Sequence, residues 1–246
     1  MCYNQLMLTQ NERIDDLMFK GLRLIQYPDG YCFNQDSILL SHFVKAGAKE
    51  TLADLGTGSG ILAVLAAKKT RAKRIIGIEL QPRLATLAQR NVELNGLRER
   101  VEIIQGRMQD AYKLLGEASM DAVCVNPPYL KKSAFSDNEI DICRSEQAVT
   151  LEEVIASAAK LLKFGGRFYM VHRADRLAEI IAHMRAERIE PKRLVPIQPT
   201  PEKDIDTIII EGKAGGKPGL KFDKPLTVYD ASGAMTSYAR QIYHLD

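Results

Sequence analysis

The chain predicts an α/β fold: seven strands in a mostly parallel sheet, helices on both faces and an antiparallel hairpin at one edge. Three observations predict it. From Thr51 onward, short apolar runs alternate with helix-patterned segments, and such alternation implies strand–helix–strand units with parallel strands. A glycine cluster from Gly56 to Gly60 separates the first apolar run from the first helical segment, where open α/β sheets place a ligand-binding turn. The last two apolar runs have no helix between them, so they can pair antiparallel.

The elements follow in order. "TLADLG" is the first strand, and Ser59 to Lys69 the first helix, with Ile61, Val64, Leu65 and Lys68 at helical spacing. "RIIGIEL" is the second strand. Pro82 to Asn95 is the second helix: Pro82 suits its first turn, Leu84, Leu87, Ala88 and Leu94 face inward, and Gly96 stops it. "VEIIQG" and "DAVCVN" are the third and fourth strands. A helix from Leu151 to Leu162 is closed by "FGG". "RFYMVH" is the fifth strand, Ala174 to Glu187 a helix, and "RLVPIQ" and "IDTIIIEGK" the last two strands. Ahead of Thr51, "GLRLIQYPDGYCF" predicts a hairpin turning at Pro28-Asp29-Gly30, and "DSILLSHFV" a short helix capped by Asn34 or Asp36. From Ala214 the chain is rich in Gly, Pro and Lys before a final helical piece. The expected organisation is therefore an extension over residues 1–50, a central domain over 51–213 and a second extension over 214–246.

The composition narrows the class. The 246 residues are 46% hydrophobic and 26% charged, ordinary values for a globular protein. No apolar run is long enough to cross a membrane, and the N-terminus lacks the basic start and apolar core of a secretory leader. Cys2, Cys32, Cys124 and Cys143 lie far apart without a CxxC pair. That predicts reduced thiols in a cytoplasm, not disulfides or zinc. His42, His172, His183 and His244 have no ligand spacing, so no metal is expected. The net charge of +3 permits an anionic partner without demanding one.

The glycine loop gives the first functional signal. In "DLGTGSGIL", Gly56, Gly58 and Gly60 allow a tight turn and close approach of backbone to a ligand. A dinucleotide fingerprint would place its third glycine one residue later, where this chain has Ile61. A loop of this form led by Asp54 resembles the first motif of class I S-adenosylmethionine-dependent methyltransferases. That cofactor has a sulfonium, an amino-acid end and an adenosine, which suits an acidic residue before the glycines. Glu79 ends the second strand about twenty residues on, where a carboxylate can accept both ribose hydroxyls. After Gly106 the resemblance implies an acidic residue against the cofactor's adenine, but this chain has Arg107. Asp110, the backbone at Met108 or a stacked Arg107 are the alternatives. Gln35 and Asp36 are candidates to close over the cofactor's amino-acid end.

The second signal is "NPPY", Asn126 to Tyr129, at the end of the fourth strand. Two prolines cannot extend a central strand, so a core strand stops abruptly at the edge where ligands sit. The motif resembles that of amino-methyltransferases acting on adenine N6, guanine N2 or a glutamine amide. Such a nitrogen is a poor nucleophile because its lone pair is delocalised. Two acceptors aimed at its hydrogens, the Asn126 side-chain oxygen and the Pro127 carbonyl, would hold it and favour pyramidalisation. Tyr129 would stack on a planar substrate; such stacking contributes about 1–3 kcal/mol per base. No strong base is needed, so catalysis would be positioning and electrostatics. Pro128, Lys131 and Lys132 flank the expected pocket mouth.

Three substrates share this motif. DNA adenine methyltransferases of this kind carry a large target-recognition region, for which this chain is too short. Release-factor glutamine methyltransferases carry a helical N-terminal domain, whereas the fifty residues before Thr51 suggest a hairpin and one helix. That leaves RNA or an unknown small substrate. "FNQDSILLSHFV", "CRSEQAVTLEEVIASAAKLLKFGGRFYMVHRADRLAEII" and the terminal "KAGGKPGLKFDKPLTVYD" together resemble the bacterial tRNA1(Val) adenine-37 N6-methyltransferase family. The resemblance covers nearly the whole chain and implies methylation of an anticodon-loop adenine in tRNA. Arg144, in the polar segment after Tyr129, and Lys213, Lys217, Lys221 and Lys224 are candidate phosphate contacts. The basic run Lys68 to Arg74 is set aside: it follows a helix C-terminus, where cations complement the dipole, at the edge opposite the site.

Overall fold

The structure, a computed structural model, describes residues 8–9, 11–27, 35–128 and 149–245. A small antiparallel ribbon pairs β1 (Arg13–Asp16) with β2 (Arg23–Gln26). Helix α1 (Gln35–Phe43) leads into the main sheet. Then come β3 (Thr51–Leu55), α2 (Ile61–Lys69), β4 (Arg74–Glu79), α3 (Pro82–Leu94) and β5 (Val101–Gln105). A 3₁₀ turn and the short α4 (Ala111–Leu115) precede β6 (Met120–Val125). Helix α5 (Leu151–Leu161), β7 (Leu162–Arg173), α6 (Leu177–Ala186), β8 (Ile189–Gln198) and β9 (Thr207–Ala214) complete the core. Two-residue strands β10 (Lys221–Phe222) and β11 (Leu226–Thr227) and helix α7 (Ser237–Tyr243) follow.

The sheet order is β10-β8-β9-β7-β6-β3-β4-β5, with β11 also on β8. Strands β3 to β7 are parallel, and β9 runs antiparallel between β7 and β8. All seven predicted strands are present, with the late pair forming the antiparallel edge. The chain moves outward from β3 through β4 to β5, then returns to the other side of β3 with β6. That reversal is the topological switch point, where open α/β sheets bind ligands.

Pleating decides which residues can meet there. Leu52 of β3, Ile75 of β4, and Ala122 and Cys124 of β6 pack in one apolar cluster with α1, α2, α3 and α7. Ala53, Leu55, Ile76, Ile78, Val123 and Val125 pack in a second cluster with α5 and α6. Side chains alternate with a period of two, so Asp54, Glu79 and Asn126 all belong to the α1–α2–α3 face. Each lies at or just past the C-terminal end of its strand.

Helix α5 starts on a capping box: the Thr150 hydroxyl accepts from the Glu153 N–H at 3.2 Å, and the Glu153 carboxylate accepts from the Thr150 N–H at 2.8 Å. Asn91 on α3 and Asn95 at its C-terminal cap, one turn apart, fasten the ribbon. Asn91 Oδ1 accepts from Ile25 N at 2.6 Å, and its Nδ2 donates to the Ile25 carbonyl at 3.0 Å and the Ser59 carbonyl at 2.9 Å. Asn95 brackets the Arg23 backbone in the same way. Asn91 thus ties the ribbon to the glycine loop. The C-terminal segment climbs β8 through β10 and β11, and Ala239 and Ile242 of α7 join the core beside α1.

Several expectations change. The described ribbon turns over Leu17 to Leu22, where Met18 and Lys20 take positive φ (52° and 48°); Pro28, Asp29, Gly30 and Asn34 lie outside the described residues. Asp36 sits within the first turn of α1 and does not precede it. Helix α2 begins at Ile61, with Gly60 as its N-cap, and Lys68 is exposed. "FGG" does not follow α5 as a loop; it lies inside β7, whose register against β6 shifts between Met120 and Ala122. Because β9 runs opposite to its neighbours, Lys213 emerges at the edge away from the glycine loop, followed by Lys217, whose carbonyl accepts from Lys192 Nζ at 3.0 Å. Within the basic run, Lys69 donates to the Ile242 carbonyl at 3.3 Å, a structural use.

Candidate active site

The C-terminal ends of β3, β4, β5 and β6 open into one cleft of about 670 Å³. Its walls come from four loops: Gly56 and Gly58 after β3, Leu80 and Gln81 after β4, Gly106 to Gln109 after β5, and Asn126, Pro127 and Pro128 after β6. Ile78, Glu79 and Val149 complete the lining. The structure therefore brings Gly56, Gly58, Glu79, Met108, Asn126, Pro127 and Pro128 to one place. Tyr129, Lys131, Lys132 and Arg144 lie outside the described residues.

The glycine loop needs its glycines. Gly56 and Gly58 have φ of 70° and 57°, a region that costs other L-residues energy. A Cβ at Gly56 would also stand 3.2 Å from Met108 Cε, so the two sides of the cleft close onto each other. Glu79, 6% exposed, bridges the loops: one carboxylate oxygen accepts from Gly58 N at 2.8 Å and the other from Gln81 N at 2.9 Å.

A smaller cavity of about 290 Å³ adjoins the cleft, lined by Ser37, Asp54, Thr57, Ser59, Ile61 and Leu62 together with Gly56, Gly58 and Asn126. Asp54 lies here. Burial raises its carboxyl to about 7, against the 2.5 Å hydrogen bond donated by Thr57 Oγ1, and the nearby Glu79 charge pushes it the same way as burial. Burial beside Asp54 also pushes the Cys124 thiol well up, so Cys124 is an inert core thiol. Ser59 Oγ is buried with no hydrogen-bond partner among the described residues. A buried carboxyl and an orphaned hydroxyl in one cavity are costly unless a ligand pairs with them. The carboxyl can accept from, and the hydroxyl donate to or accept from, a cationic, hydrogen-bonding ligand.

Of the alternatives for the position after Gly106, two line the cleft and one does not. Asp110 is not among the residues lining the cleft and pairs with Lys113 at 2.7 Å, whereas Arg107 and Met108 line it. Gln35 and Asp36 line neither cavity; the α1 residue that does is Ser37, whose Oγ accepts from Asn126 Nδ2 at 2.9 Å. Sequence reasoning passed over Ser37, Thr57 and Ser59. Their signal was present as small hydroxyl residues inside apolar or glycine-rich stretches. His172 is fully buried, and burial lowers it to about 4, so it is neutral near pH 7.

The model of the methyltransferase small domain matches residues 34–186, more than half of the chain. The chain belongs to the methyltransferase small-domain family. Among relatives of this small-domain methyltransferase are proteins named tRNA1(Val) (adenine(37)-N6)-methyltransferase from two strains of Porphyromonas gingivalis. One is 29% identical over 204 residues, 80% of each chain. The other is 30% identical over 161 residues, 64% of this chain and 63% of that protein. A release factor glutamine methyltransferase of Moorella thermoacetica is 31% identical over 157 residues, 57% of this chain and 54% of its own. Among solved structures, a predicted O-methyltransferase of Agrobacterium tumefaciens superposes with a TM-score of 0.68 at 23% identity, covering 85% of this chain and 95% of its own. That likeness establishes the class I methyltransferase fold. No described helix is long and apolar enough to cross a membrane.

Proposed function

We propose that this small-domain methyltransferase transfers a methyl group from S-adenosylmethionine to N6 of an adenine in tRNA, with A37 of an anticodon loop as the target. One observation carries the reading: Asn126 and Glu79, from different strand ends, line a single cleft with the glycine loop. The two Porphyromonas relatives support the substrate.

The residues present fit the cofactor. Glu79 is positioned to accept the ribose hydroxyls, the Gly56–Gly58 backbone to lie close beneath the cofactor, and Met108 to pack on its adenine. Asp54 and the orphaned Ser59 hydroxyl suit the amino-acid end. When bound, S-adenosylmethionine supplies an electrophilic methyl carbon. The Asn126 side chain and the Pro127 carbonyl grip the substrate amino group and orient its lone pair, and the stiff proline corner keeps that carbonyl aimed. Tyr129 is assigned to stack on the base. Pro128, Lys131 and Lys132 are assigned to the substrate side. The amino group loses its proton to water after transfer, so no side chain here must act as a strong base. A base within a structured loop must first be splayed out to reach such a cleft.

Residues 51–213 form the catalytic unit in this reading, and 1–50 and 214–246 frame it. Both flanking segments contribute to one apolar cluster with α2 and α3, through Leu24 and Leu40 from the first and Ala239 and Ile242 from the second, which supports that role. A reduced buried Cys124 and a tRNA substrate fit a cytoplasmic setting.

The second reading is methylation of a glutamine amide in a protein, favoured by the Moorella relative. The deciding experiment offers the protein labelled S-adenosylmethionine with two acceptors: total tRNA from cells lacking this protein, and a release factor. Digestion to nucleosides should return the label as N6-methyladenosine. Label only in the release factor overturns the tRNA assignment.

A further inference from the structure

We propose that Ser37 is a positioning residue for Asn126, a role that rests on the reading of Asn126 given above. A side-chain amide has a donor end and an acceptor end of nearly the same shape. Only the acceptor end can grip an amino group, because NH2 facing NH2 is repulsive. Something must therefore fix which way the Asn126 amide points. In the structure its nitrogen donates to Ser37 Oγ at 2.9 Å. Anchoring the nitrogen on α1 sets both the plane of the amide and the direction of its oxygen.

The surroundings make that anchor firm. Ser37 is 4% exposed and sits one turn from Leu40 and Ser41, both fully buried. A hydroxyl in such a place is costly unless it is hydrogen-bonded. Ser41 meets that need within its own helix, donating to the Ile38 carbonyl at 2.6 Å. Ser37 meets it with a residue 89 positions away, across the site. Helix α1 is itself held among α2, β7 and α7, and a catalytic side chain gains precision from a support that cannot drift. Ser37 and Asn126 also share the smaller cavity with Asp54, Thr57 and Ser59, so the anchor stands beside the place assigned to the cofactor's amino-acid end.

The test uses the full chain, S-adenosylmethionine and unmethylated tRNA, with single-turnover rates at saturating substrate, cofactor affinity by calorimetry and a thermal melt. Ser37→Ala should slow the step about tenfold or more, the order expected when one orienting hydrogen bond is lost, while cofactor affinity stays within about twofold. Ser37→Thr, which keeps the hydroxyl, should recover most of the rate. Ser37→Cys, of similar size but a weak acceptor, should behave like Ser37→Ala and serves if that variant does not fold. Ser37→Ala added to Asn126→Ala should cost nothing more, since residues acting as one unit are non-additive. A wild-type rate in Ser37→Ala alongside an inactive Asn126→Ala overturns the positioning role alone. Loss of rate with an equal loss of cofactor affinity, not restored by Thr, overturns it in favour of a packing role. An Asn126→Ala variant as fast as wild type overturns the reading of Asn126 beneath it.

Discussion

Asp54→Asn should change how stability depends on pH. The Asp54 carboxyl is 1% exposed, and burial raises it from an ordinary 3.8 to about 7. Between those values the folded protein holds a proton that the unfolded chain has already released. Stability therefore falls as pH rises through that window and levels off above it. Each tenfold change in an ionisation constant is worth about 1.4 kcal/mol, so the ceiling is about 4 kcal/mol. Roughly 2–3 kcal/mol of it develops between about pH 5 and about pH 8. Asparagine keeps the shape and cannot ionise. Urea unfolding of cofactor-free wild type and Asp54→Asn at about pH 5 and about pH 8 isolates the effect. The buried His172 gains stability with rising pH, since burial lowers it to about 4, but it is common to both proteins and cancels. The variant should gain on wild type by about 2 kcal/mol at the higher pH. Parallel stability curves for the two proteins would refute a strained, buried carboxylate at this position.

Three further outcomes follow from named contacts. Asn91→Ala removes three buried hydrogen bonds, to Ile25 N, the Ile25 carbonyl and the Ser59 carbonyl; it should cost about 2–4 kcal/mol in urea unfolding and weaken cofactor binding by loosening the glycine loop. Glu79→Gln keeps the side chain's size but loses the charge with which Glu79 is proposed to accept the ribose hydroxyls. S-adenosylmethionine affinity by calorimetry should drop about tenfold or more, and unchanged affinity would remove Glu79 from the cofactor site. Thr150→Ala breaks the capping box of α5 and should cost about 1 kcal/mol in thermal or urea melts, with cofactor affinity unaltered.

Strands were legible where their chemistry is one-sided: "RIIGIEL" and "DAVCVN" are apolar because both faces of a parallel sheet are covered. The glycine loop and Asn126 were legible because close backbone approach and a proline stop leave marks that few other residues imitate. Other features left weaker marks. "RIDD" hides a ribbon strand behind four residues, three of them charged, with exposure in place of alternation. Its turn is carried by Met18 and Lys20 at positive φ, which residue type does not signal. Helix α2 is buried on all sides from Ile61 to Ala67, so periodicity says little and only the preceding glycines mark its start. Strands β10 and β11 are two residues long, too short for any pattern. Ser37 left only a small hydroxyl inside an apolar stretch as its mark, because its partner Asn126 lies 89 residues away.

The most direct test of the central claim is the single-turnover rate of Asn126→Ala on unmethylated tRNA, measured beside its affinity for S-adenosylmethionine. If Asn126 grips the adenine amino group at the mouth of the cofactor cleft, N6-methyladenosine formation should fall by about a hundredfold or more while the cofactor binds as before. Methylation at the wild-type rate would contradict the account.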